Sequence, residues 1–438
     1  MKNSARETAF KVLLKIEKDK AYSNLTLDAA LKESRLSSRD KAFASALVYG
    51  VLERQITIDY ELSLHLKQPL KKLKKQVLVA LRLGAFQLLF LNSVPTSAAV
   101  NESVVISKEN GFSFASGLIN AVLRAVSKSG LLLPEKNDFQ KYISIKYSCP
   151  EWLVSKWSRE YGEKMTEEIL KHSIGTPKIT VRVNTLKTTS DELLELLTNS
   201  AVVCETGVLS NSIVINSLPC AVEELDEFKN GLFHVQGIPS QLCSLTVGAK
   251  ENDVVFDLCS APGGKAFTVA EEMKNKGVLK AFDVYEKRVG LIKSGAKRLG
   301  LDCIDAAMSN AEAFDPTLGF ADCVLCDVPC SGLGIISKKP EIKFKSEEDF
   351  AALPEIQFKI LENGSKYVKD GGRLVYSTCT LSKAENEEVC NRFLKEHPEF
   401  ISQKPFFKKD DGSFATVFPS ENNSDGFFVA LFVRKEKL

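Results

Sequence analysis

The sequence predicts a multi-domain protein with an all-helical N-terminal domain, a small α+β middle domain and an α/β C-terminal domain built on a parallel sheet. Apolar residues recur at helical spacing through residues 1–130, whereas from about residue 236 short apolar runs alternate with helical segments. A chain of 438 residues has room for about two to four domains. We place the domains at residues 1–138, 139–235 and 236–438.

The N-terminal domain is predicted from amphipathic segments, of which Ala9–Ile16 and Ala42–Leu52 are the clearest. The stretch Leu91–Ser97 contains Pro95 and indicates a helix end followed by a new helix start. A second helix-rich block, Ala98–Val126, closes the domain, and the stretch from Gly130 to Asp138 is typical of a linker.

Composition favours a soluble protein, with 44% hydrophobic and 26% charged residues. The start Met1–Arg6 is not followed by the apolar core of a signal peptide, so we expect a cytoplasmic location. The most apolar segment, Val77–Leu91, contains Arg82 and Gln87 and is too short to span a bilayer. We predict that it is a buried helix and that the protein has no membrane partner.

Cysteine and histidine usage predicts no metal site. The eleven cysteines are scattered without paired zinc spacing, and the four histidines lie far apart at 65, 172, 234 and 397. Without an export signal, we expect reduced thiols.

Positive charge is concentrated at the front of the chain. Residues 1–130 hold 20 Lys+Arg and 11 Asp+Glu, a balance of +9, which leaves −7 for the remainder. Five lysines crowd the window Lys67–Lys75. Charge alone leaves two interpretations open, a surface that binds nucleic acid and a solvated helical surface.

The middle and C-terminal domains are predicted from their strands and helices. A helical stretch with Trp152 and Trp157 runs to His172, Pro177–Asn184 alternates like a strand, and Asp191–Leu197 is helical. The parallel sheet is predicted from Val254–Leu258, Val278–Val284, Cys323–Asp327 and Arg373–Ser377. Two last strands, Ser413–Pro419 and Gly426–Arg434, are expected to form an antiparallel, hairpin-like edge.

A glycine-rich loop after the first parallel strand indicates a ligand site. The stretch Val254–Lys265 combines a strand, a Gly-Gly turn and a helix start, and it matches neither the phosphate-loop nor the dinucleotide pattern. The next strand ends at Asp283, where a carboxylate can accept the hydroxyls of a ribose. A nucleoside ligand without a pyrophosphate fits this combination, and S-adenosylmethionine (SAM) is such a ligand. Alone, Asp283 would be a solvated turn residue.

Two cysteines follow neighbouring predicted strands, Cys330 after Asp327 and Cys379 after Ser377. Most cysteines are inert and buried, but two at the carboxyl ends of strands beside a methyl-donor site favour thiolate chemistry. A thiolate that adds to C6 of cytosine makes C5 nucleophilic, and a base must then remove the C5 proton. Asp327 is placed to act near N3 of the base. A disulfide switch between the cysteines has less support, because they do not form a C-x-x-C pair.

Three motifs together resemble those of the Sun (Fmu) family of RNA 5-methylcytosine methyltransferases: Cys259–Lys265, Asp327–Gly332 and Ser377–Thr380. The similarity covers most of residues 141–438, including a small domain similar to an RNA-recognition fold. Residues 1–130 resemble a NusB-type RNA-binding domain, notably at Ser38–Phe43 and Val48–Leu52. This combination implies a bacterial enzyme with a Rossmann-like catalytic domain that methylates 16S ribosomal RNA.

The resemblance implies a role for each matched position. Cys379 would be the nucleophile, Cys330 would assist proton removal and product release, and Asp327 would contact the reacting base. The cofactor would contact Cys259, Ser260, Ala261, Pro262, Gly263, Gly264, Lys265, Asp283, Asn310 and Asp327. Asn310 stands where the family usually has Asp, and its amide oxygen can still accept a bond from the adenine amine. Ala266 replaces a usual Thr or Ser, and Gly237–Ser240 replaces a more acidic stretch.

The sequence leaves other functions open. The same chemistry on transfer RNA is one, because basic patches carry little sequence information. A noncatalytic RNA-binding or antitermination-type assembly factor and a redox-sensing protein are the others. As an RNA methyltransferase, the protein would act as a monomer on an unpaired or flipped cytosine.

Overall fold

A computed structural model describes residues 4–19, 23–175, 177–408, 410–421 and 424–436. The first three residues of the Met1–Arg6 start therefore lie outside the described residues. The chain divides into two compact units, Met1–Ile174 with Ile336–Lys345 and Gly175–Ile335 with Ser346–Leu438. The domain boundaries at 138/139 and 235/236 stay predictions.

The first unit is helical throughout its described part, which confirms the all-helical prediction. Its core includes Phe10, Leu13, Leu47 and Val51, the apolar positions of the amphipathic segments. The helices are α1 (Ala5–Asp19), α2 (Ser23–Glu33), α3 (Ser38–Leu64), α4 (Lys75–Phe90), α5 (Thr96–Glu109), α6 (Ser116–Ser129), α7 (Phe139–Tyr147), α8 (Glu151–Tyr161) and α9 (Glu163–His172).

Helix α4 is the predicted buried helix, and its one arginine is accommodated by ion pairs. Arg82 is 6% exposed and donates to both carboxylate oxygens of Asp59 at 2.7 Å and to Glu17 at 2.8 Å. A bidentate contact offsets the cost of burying the guanidinium. Among the described residues, no helix has the length and apolar character needed to cross a membrane.

The segment Ile336–Lys345 belongs to the first unit although it lies far along the chain. Lys343 is 4% exposed and donates to the backbone oxygens of Glu53 at 2.7 Å and Ser148 at 2.8 Å. Burial lowers the pKa of Lys343 to about 8. Sequence analysis did not predict that this segment belongs to the first unit, because the contacts of Lys343 that hold it there are tertiary.

The second unit begins with a small antiparallel sheet in the order β2-β3-β1-β4. Its core includes Val181 and Val183 from the predicted strand together with Leu193 and Leu197 from the predicted helix. The elements are β1 (Ile179–Val183), α10 (Ser190–Asn199), β2 (Val203–Thr206), β3 (Ser212–Ser217), α11 (Asp226–Lys229) and β4 (Phe233–Val235). This confirms a small α+β domain.

The rest of the second unit is a mixed sheet in the order β10-β12-β9-β8-β5-β6-β7, with β11 paired to β12. Strands β5 to β9 are parallel neighbours. The four predicted runs form β5, β6, β8 and β9, whereas β7 was not among them. The elements are α12 (Ile238–Val247), β5 (Val254–Asp257), α13 (Gly264–Glu272), β6 (Val278–Asp283), α14 (Glu286–Leu299), β7 (Ile304–Met308), β8 (Ala321–Asp327), α15 (Leu353–Lys366), β9 (Val368–Thr378), α16 (Glu387–Glu396), β10 (Phe400–Gln403), β11 (Phe414–Val417) and β12 (Phe427–Arg434).

The predicted C-terminal pair needs one correction. Strands β11 and β12 are antiparallel partners, as expected, but β12 is an interior strand that also pairs with β9 and β10. Residues Phe427–Phe432 of β12 are all buried, so both faces of this strand are covered. An apolar run without alternation is typical of an interior strand. Strand β10 was not predicted.

Candidate active site at the carboxyl ends of the parallel strands

Residues from the three motifs meet at one edge of the large sheet. The parallel strands β5, β6, β8 and β9 end at Asp257, Asp283, Asp327 and Thr378. Ligands of open α/β sheets bind outside this edge. The strand order places the glycine loop between the end that carries Asp283 and the end that carries Asp327.

The loop between β5 and α13 is fixed by backbone hydrogen bonds. Ser260 N–H donates to the Phe282 oxygen at 2.7 Å, and Gly263 N–H donates to the Ser260 oxygen at 2.8 Å. Gly263 has φ +110°, and a Cβ there would come within 2.4 Å of the Phe267 ring. Only glycine fits this turn, which leaves the start of α13 with backbone N–H groups at the edge of the sheet.

Asp283 is 4% exposed and lies at the end of β6, as predicted for a ribose acceptor. One of its oxygens accepts the Tyr285 N–H at 3.1 Å, and the other is 3.2 Å from the Arg288 guanidinium. Arg288 also donates to the Ala261 oxygen at 2.9 Å. Arg288 therefore joins the glycine loop to Asp283, a contact that sequence analysis missed.

Asn310 lies two residues beyond β7, on the side of Asp283. The preceding Ser309 N–H donates to the Asp283 backbone oxygen at 3.2 Å. The amide oxygen of Asn310 already accepts the Glu312 N–H at 3.0 Å. An oxygen has a second lone pair, so this contact leaves it one further acceptor position.

Asp327 forms an ion pair at the centre of the site. Its two oxygens lie 2.6 Å from Lys265 Nζ and 2.7 Å from the Ser377 hydroxyl, which donates. Burial is the largest influence on the pKa of Lys265 and lowers it, but the charge and hydrogen bond of Asp327 together with the charges of Cys243 and Asp257 outweigh burial, so the net pKa lies above its ordinary value. Lys265 is therefore a cation at neutral pH, and the structure links the end of the glycine loop to the end of β8.

The two predicted cysteines lie side by side. Cys330 Sγ and Cys379 Sγ are 3.3 Å apart, well beyond the ~2.05 Å of a disulfide, so both are thiols, and both are partly buried. The hydrogen bond with Cys379, burial and the negative charges of Cys379 and Glu385 raise the pKa of the Cys330 thiol well above its ordinary value. The Cys330 thiol can therefore keep its proton and donate a hydrogen bond to the Cys379 sulfur.

Glycine also allows the two cysteine loops to approach. Gly334 N–H donates to the Cys379 oxygen at 3.0 Å, and Gly426 N–H donates to the Gly334 oxygen at 2.7 Å. A Cβ on Gly334 would come within 2.1 Å of the Gly426 oxygen. A larger residue at 334 would therefore displace the backbone of the proposed nucleophile.

Asp257 is a further buried carboxyl at this edge of the sheet. It is 2% exposed, and neither carboxylate oxygen accepts a hydrogen bond of acceptable length and angle. Burial raises its pKa to about 7, although the nearby Ser260 hydroxyl and Cys259 N–H act to lower it. An unpartnered buried acid beside a glycine loop is chemically suited to a cationic ligand group.

Sequence analysis assigned no role to Ser377, Arg288, Asp257 or Glu385. Ser377 belongs to the motif Ser377–Thr380, and Asp257 lies near the end of the predicted strand Val254–Leu258. The position of each residue could therefore have indicated a role in the site. The contacts of Arg288 with Ala261 and of Glu385 with Ser331 join positions 27 and 54 apart in sequence, which residue patterns do not show. The described residues hold no group of three or more His, Cys, Asp or Glu side chains that could bind a metal ion.

Comparisons with known proteins agree with this architecture. Residues 244–433 match the family described as 16S rRNA methyltransferase RsmB/F, and residues 3–128 match the NusB family. Residues 149–223 match the ferredoxin-like domain of RsmF/B-like methyltransferases. The fold and site thus define a methyltransferase with a NusB-like helical domain and a ferredoxin-like domain, as the sequence predicted.

Relatives of the same length support the assignment. The chain is 36% identical to the probable ribosomal RNA small subunit methyltransferase B of Bacillus subtilis, over 99% of both chains. It is 32% identical to the corresponding Synechocystis protein, over 98% of both. The crystal structure of PH0851 aligns with a TM-score of 0.82 at 25% identity over 100% of both chains. The structure of NSun6 from Pyrococcus horikoshii with SFG shares the fold, with a TM-score of 0.61 at 20% identity over 66% of this chain and 99% of that one. The chain belongs to the RsmB/F family of methyltransferases.

Proposed function

We propose that the protein uses SAM to form 5-methylcytosine in 16S ribosomal RNA through a covalent adduct with Cys379. The observation that carries the proposal is the pair of cysteine sulfurs 3.3 Å apart, next to the Lys265–Asp327 ion pair. A methyltransferase that modified an exocyclic nitrogen or a ribose oxygen would have no use for two thiols at this position. The relatives are named as ribosomal RNA methyltransferases, which supports an RNA substrate.

The glycine loop and the acids around it fit SAM. Asp283 offers carboxylate oxygens to the ribose hydroxyls, and Asn310 keeps an acceptor position for the adenine amine. The unpartnered carboxyl of Asp257 is available to an ammonium group. When bound, SAM supplies the electrophilic methyl group. Glycine at 263 leaves the loop backbone open to a ligand.

The covalent step begins at Cys379. Its thiolate forms a bond to C6 of the cytosine, and the electrons of the C5–C6 double bond move toward C5 and N3. Asp327, as an ion-paired carboxylate, accepts hydrogen bonds from the N4 amine and from N3 once N3 has taken a proton from solvent. C5 then takes the methyl group, whose bond to the sulfonium sulfur breaks. Loss of the C5 proton and return of the N3 proton to solvent restore the C5–C6 double bond and expel the thiolate.

The environment of Cys330 explains why the two cysteines would act one after the other in the reaction. The largest cause of its raised pKa is the hydrogen bond with Cys379, so Cys330 holds its proton while Cys379 is a thiolate. Once Cys379 is bonded to C6, that partner is lost and Cys330 can release its proton to solvent. The resulting thiolate is the base for the C5 proton.

Exposed lysines of the helical unit fit an RNA partner. Five exposed lysines lie between the end of α3 and the first residue of α4. They are Lys67, Lys71, Lys72, Lys74 and Lys75. Such a cluster can neutralise several phosphates. The target cytosine must be unpaired or flipped, because C6 is attacked from the face of the ring.

The two cysteines are tested separately, in full-length protein with labelled 16S RNA and SAM. Cys379→Ala should abolish methylation and form no covalent product, because no thiolate can attack C6. Cys330→Ala should transfer the methyl group but fail to lose the C5 proton, so that the protein stays bonded to its RNA. A denaturing gel would show a slow, protease-sensitive band for Cys330→Ala alone.

Cys303→Ala is the matched control, because Cys303 is partly buried in the same unit, at the start of β7 and away from the site. It should leave turnover unchanged and form no band. A band with Cys379→Ala would reverse the two roles, and normal turnover of both single variants would refute the covalent mechanism. Bisulfite sequencing of RNA from a deletion strain then distinguishes ribosomal from transfer RNA, since the missing 5-methylcytosine identifies the substrate.

A further inference from the structure

Glu385 is a buried carboxylate that contacts the Cys330 loop. It ends the short helical turn Lys383–Glu385 after β9 and is 3% exposed. One oxygen accepts the Ser331 hydroxyl at 2.6 Å, and the other accepts the Ser331 N–H and the Gln357 amide, both at 2.9 Å. Glu385 therefore accepts three hydrogen bonds, two from Ser331 and one from Gln357.

The same hydrogen bonds hold both cysteine loops. Gln357 also donates to the Pro329 oxygen at 2.9 Å, so the residues on either side of Cys330 are attached to one network. The Ser331 hydroxyl lies 2.7 Å from the Thr380 hydroxyl, which follows Cys379 directly. Glu385 is therefore the common acceptor of a network that fixes the chain on both sides of the sulfur pair.

The charge of Glu385 acts on the Cys330 thiol. It is among the causes that raise the pKa of Cys330, after the hydrogen bond with Cys379, burial and the charge of Cys379. Other titratable groups here are Cys326, Cys390 and Tyr376, whose hydroxyl donates to the Glu385 backbone oxygen. Burial raises the pKa of Tyr376 well above its ordinary value, so it stays neutral across the pH range of the thiols.

We propose that Glu385 is a positioning residue that holds the two sulfurs in contact and keeps the proton on Cys330, so that Cys379 is the thiolate in the free enzyme. The inference rests on the proposed covalent mechanism and adds to it the cause of the division of roles. The same charge makes Cys330 a stronger base when it later removes the C5 proton.

Thiol alkylation tests this without RNA or SAM. Iodoacetamide reacts with a thiolate to form an S–C bond and release iodide, and mass spectrometry measures the rate at each cysteine. In the wild-type protein Cys379 should react first between about pH 6 and 8. In Glu385→Gln, which keeps the shape but removes the charge, Cys330 should react at least about tenfold faster, as expected for a fall of one pKa unit. Its pH–rate profile should shift to lower pH.

Two variants serve as controls. Glu385→Asp retains the charge and should restore the order in which Cys379 reacts first, although methylation slows because the network is displaced. Glu227→Gln removes a different buried carboxylate, 7% exposed, that also accepts a serine hydroxyl. It lies in α11 of the small α+β domain and should leave both alkylation rates unchanged.

The outcomes separate the inference from the proposed function. Folded Glu385→Gln protein with an unchanged ratio of alkylation rates would overturn the inference. If that variant does not fold, a folded Glu385→Asp protein in which both cysteines react equally would overturn it instead. Wild-type protein that shows the expected order of alkylation but forms no 5-methylcytosine would refute the proposed function only.

Discussion

Replacing Asp327 with Asn tests the ion pair at the centre of the proposed site. The substitution keeps one acceptor oxygen and the size of the side chain but removes the charge that faces Lys265 at 2.6 Å. Lys265 then lacks its closest anion. The base contact proposed for Asp327 also changes from a charge-assisted to a neutral hydrogen bond.

The size of the effect follows from the exposure of the pair. The side chains of Lys265 and Asp327 are 13% and 28% exposed. Breaking a fully buried pair costs about 3–5 kcal/mol, and an exposed pair contributes at most about 1 kcal/mol. For this intermediate pair we expect about 2–3 kcal/mol in the transition state, which is a loss of roughly 30- to 150-fold in kcat/KM.

The assay is single-turnover methyl transfer, with thermal unfolding of each variant measured in parallel. The matched control is Asp322→Asn near the start of the same strand, where Asp322 pairs with Lys369 at 2.7 Å. That pair is 33% and 44% exposed, so its loss should cost less than about 1 kcal/mol of stability and leave kcat/KM unchanged.

The reasoning would be refuted by Asp327→Asn protein that is folded and retains kcat/KM within about threefold of wild type. An equal loss in both variants would also contradict it. In that case the effect would come from strand β8 as a whole and not from a contact with the base.

Three further predictions use the same protein. Asp283→Ala should weaken SAM binding about tenfold or more, because two ribose hydroxyls lose a charged acceptor; unchanged affinity by calorimetry in a folded variant would remove Asp283 from the site. Replacing Lys67, Lys71 and Lys72 with Ala should make the log–log salt dependence of RNA binding shallower by about 2 and leave SAM affinity unchanged; an identical slope would mean that these lysines are only solvated. Asp257→Asn should stabilise the ligand-free protein at pH 8 by about 2–4 kcal/mol and have little effect near pH 4. The folded pKa of Asp257 is raised to about 7, so its favourable contribution is complete below about pH 4 and is lost as pH rises to 7; a pH-independent difference in thermal unfolding would contradict this.

Most of the fold could be predicted because its signals are local. Strands β5, β6, β8 and β9 are short apolar runs, and the residues that follow them in sequence must lie at one edge of a parallel sheet. The positions of Asp283, Asp327, Cys330 and Cys379 follow from that rule alone. Strand β12 was placed at an edge because the order of strands depends on tertiary pairing, which a residue pattern does not encode.

The partners of the site residues could not be predicted for the same reason. Lys265 and Asp327 are 62 positions apart, and Ser331 and Glu385 are 54 positions apart. Each pair lies on neighbouring loops only because of the order β6-β5-β8-β9. Sequence analysis therefore named the residues at strand ends but not the hydrogen bonds that fix their orientation or set their charge.

Strand order also divides the proposed site into two halves that experiments can separate. The proposed cofactor contacts follow β5, β6 and β7, the cysteines follow β8 and β9, and the Lys265–Asp327 pair joins the two halves. A substitution at Asp283 should therefore act on SAM affinity alone, and one at Cys379 on the chemical step alone. Asp327→Asn should act on both, because Lys265 belongs to the glycine loop. A change in both quantities for Asp327→Asn, with a change in only one for each of the others, is the pattern that this arrangement requires.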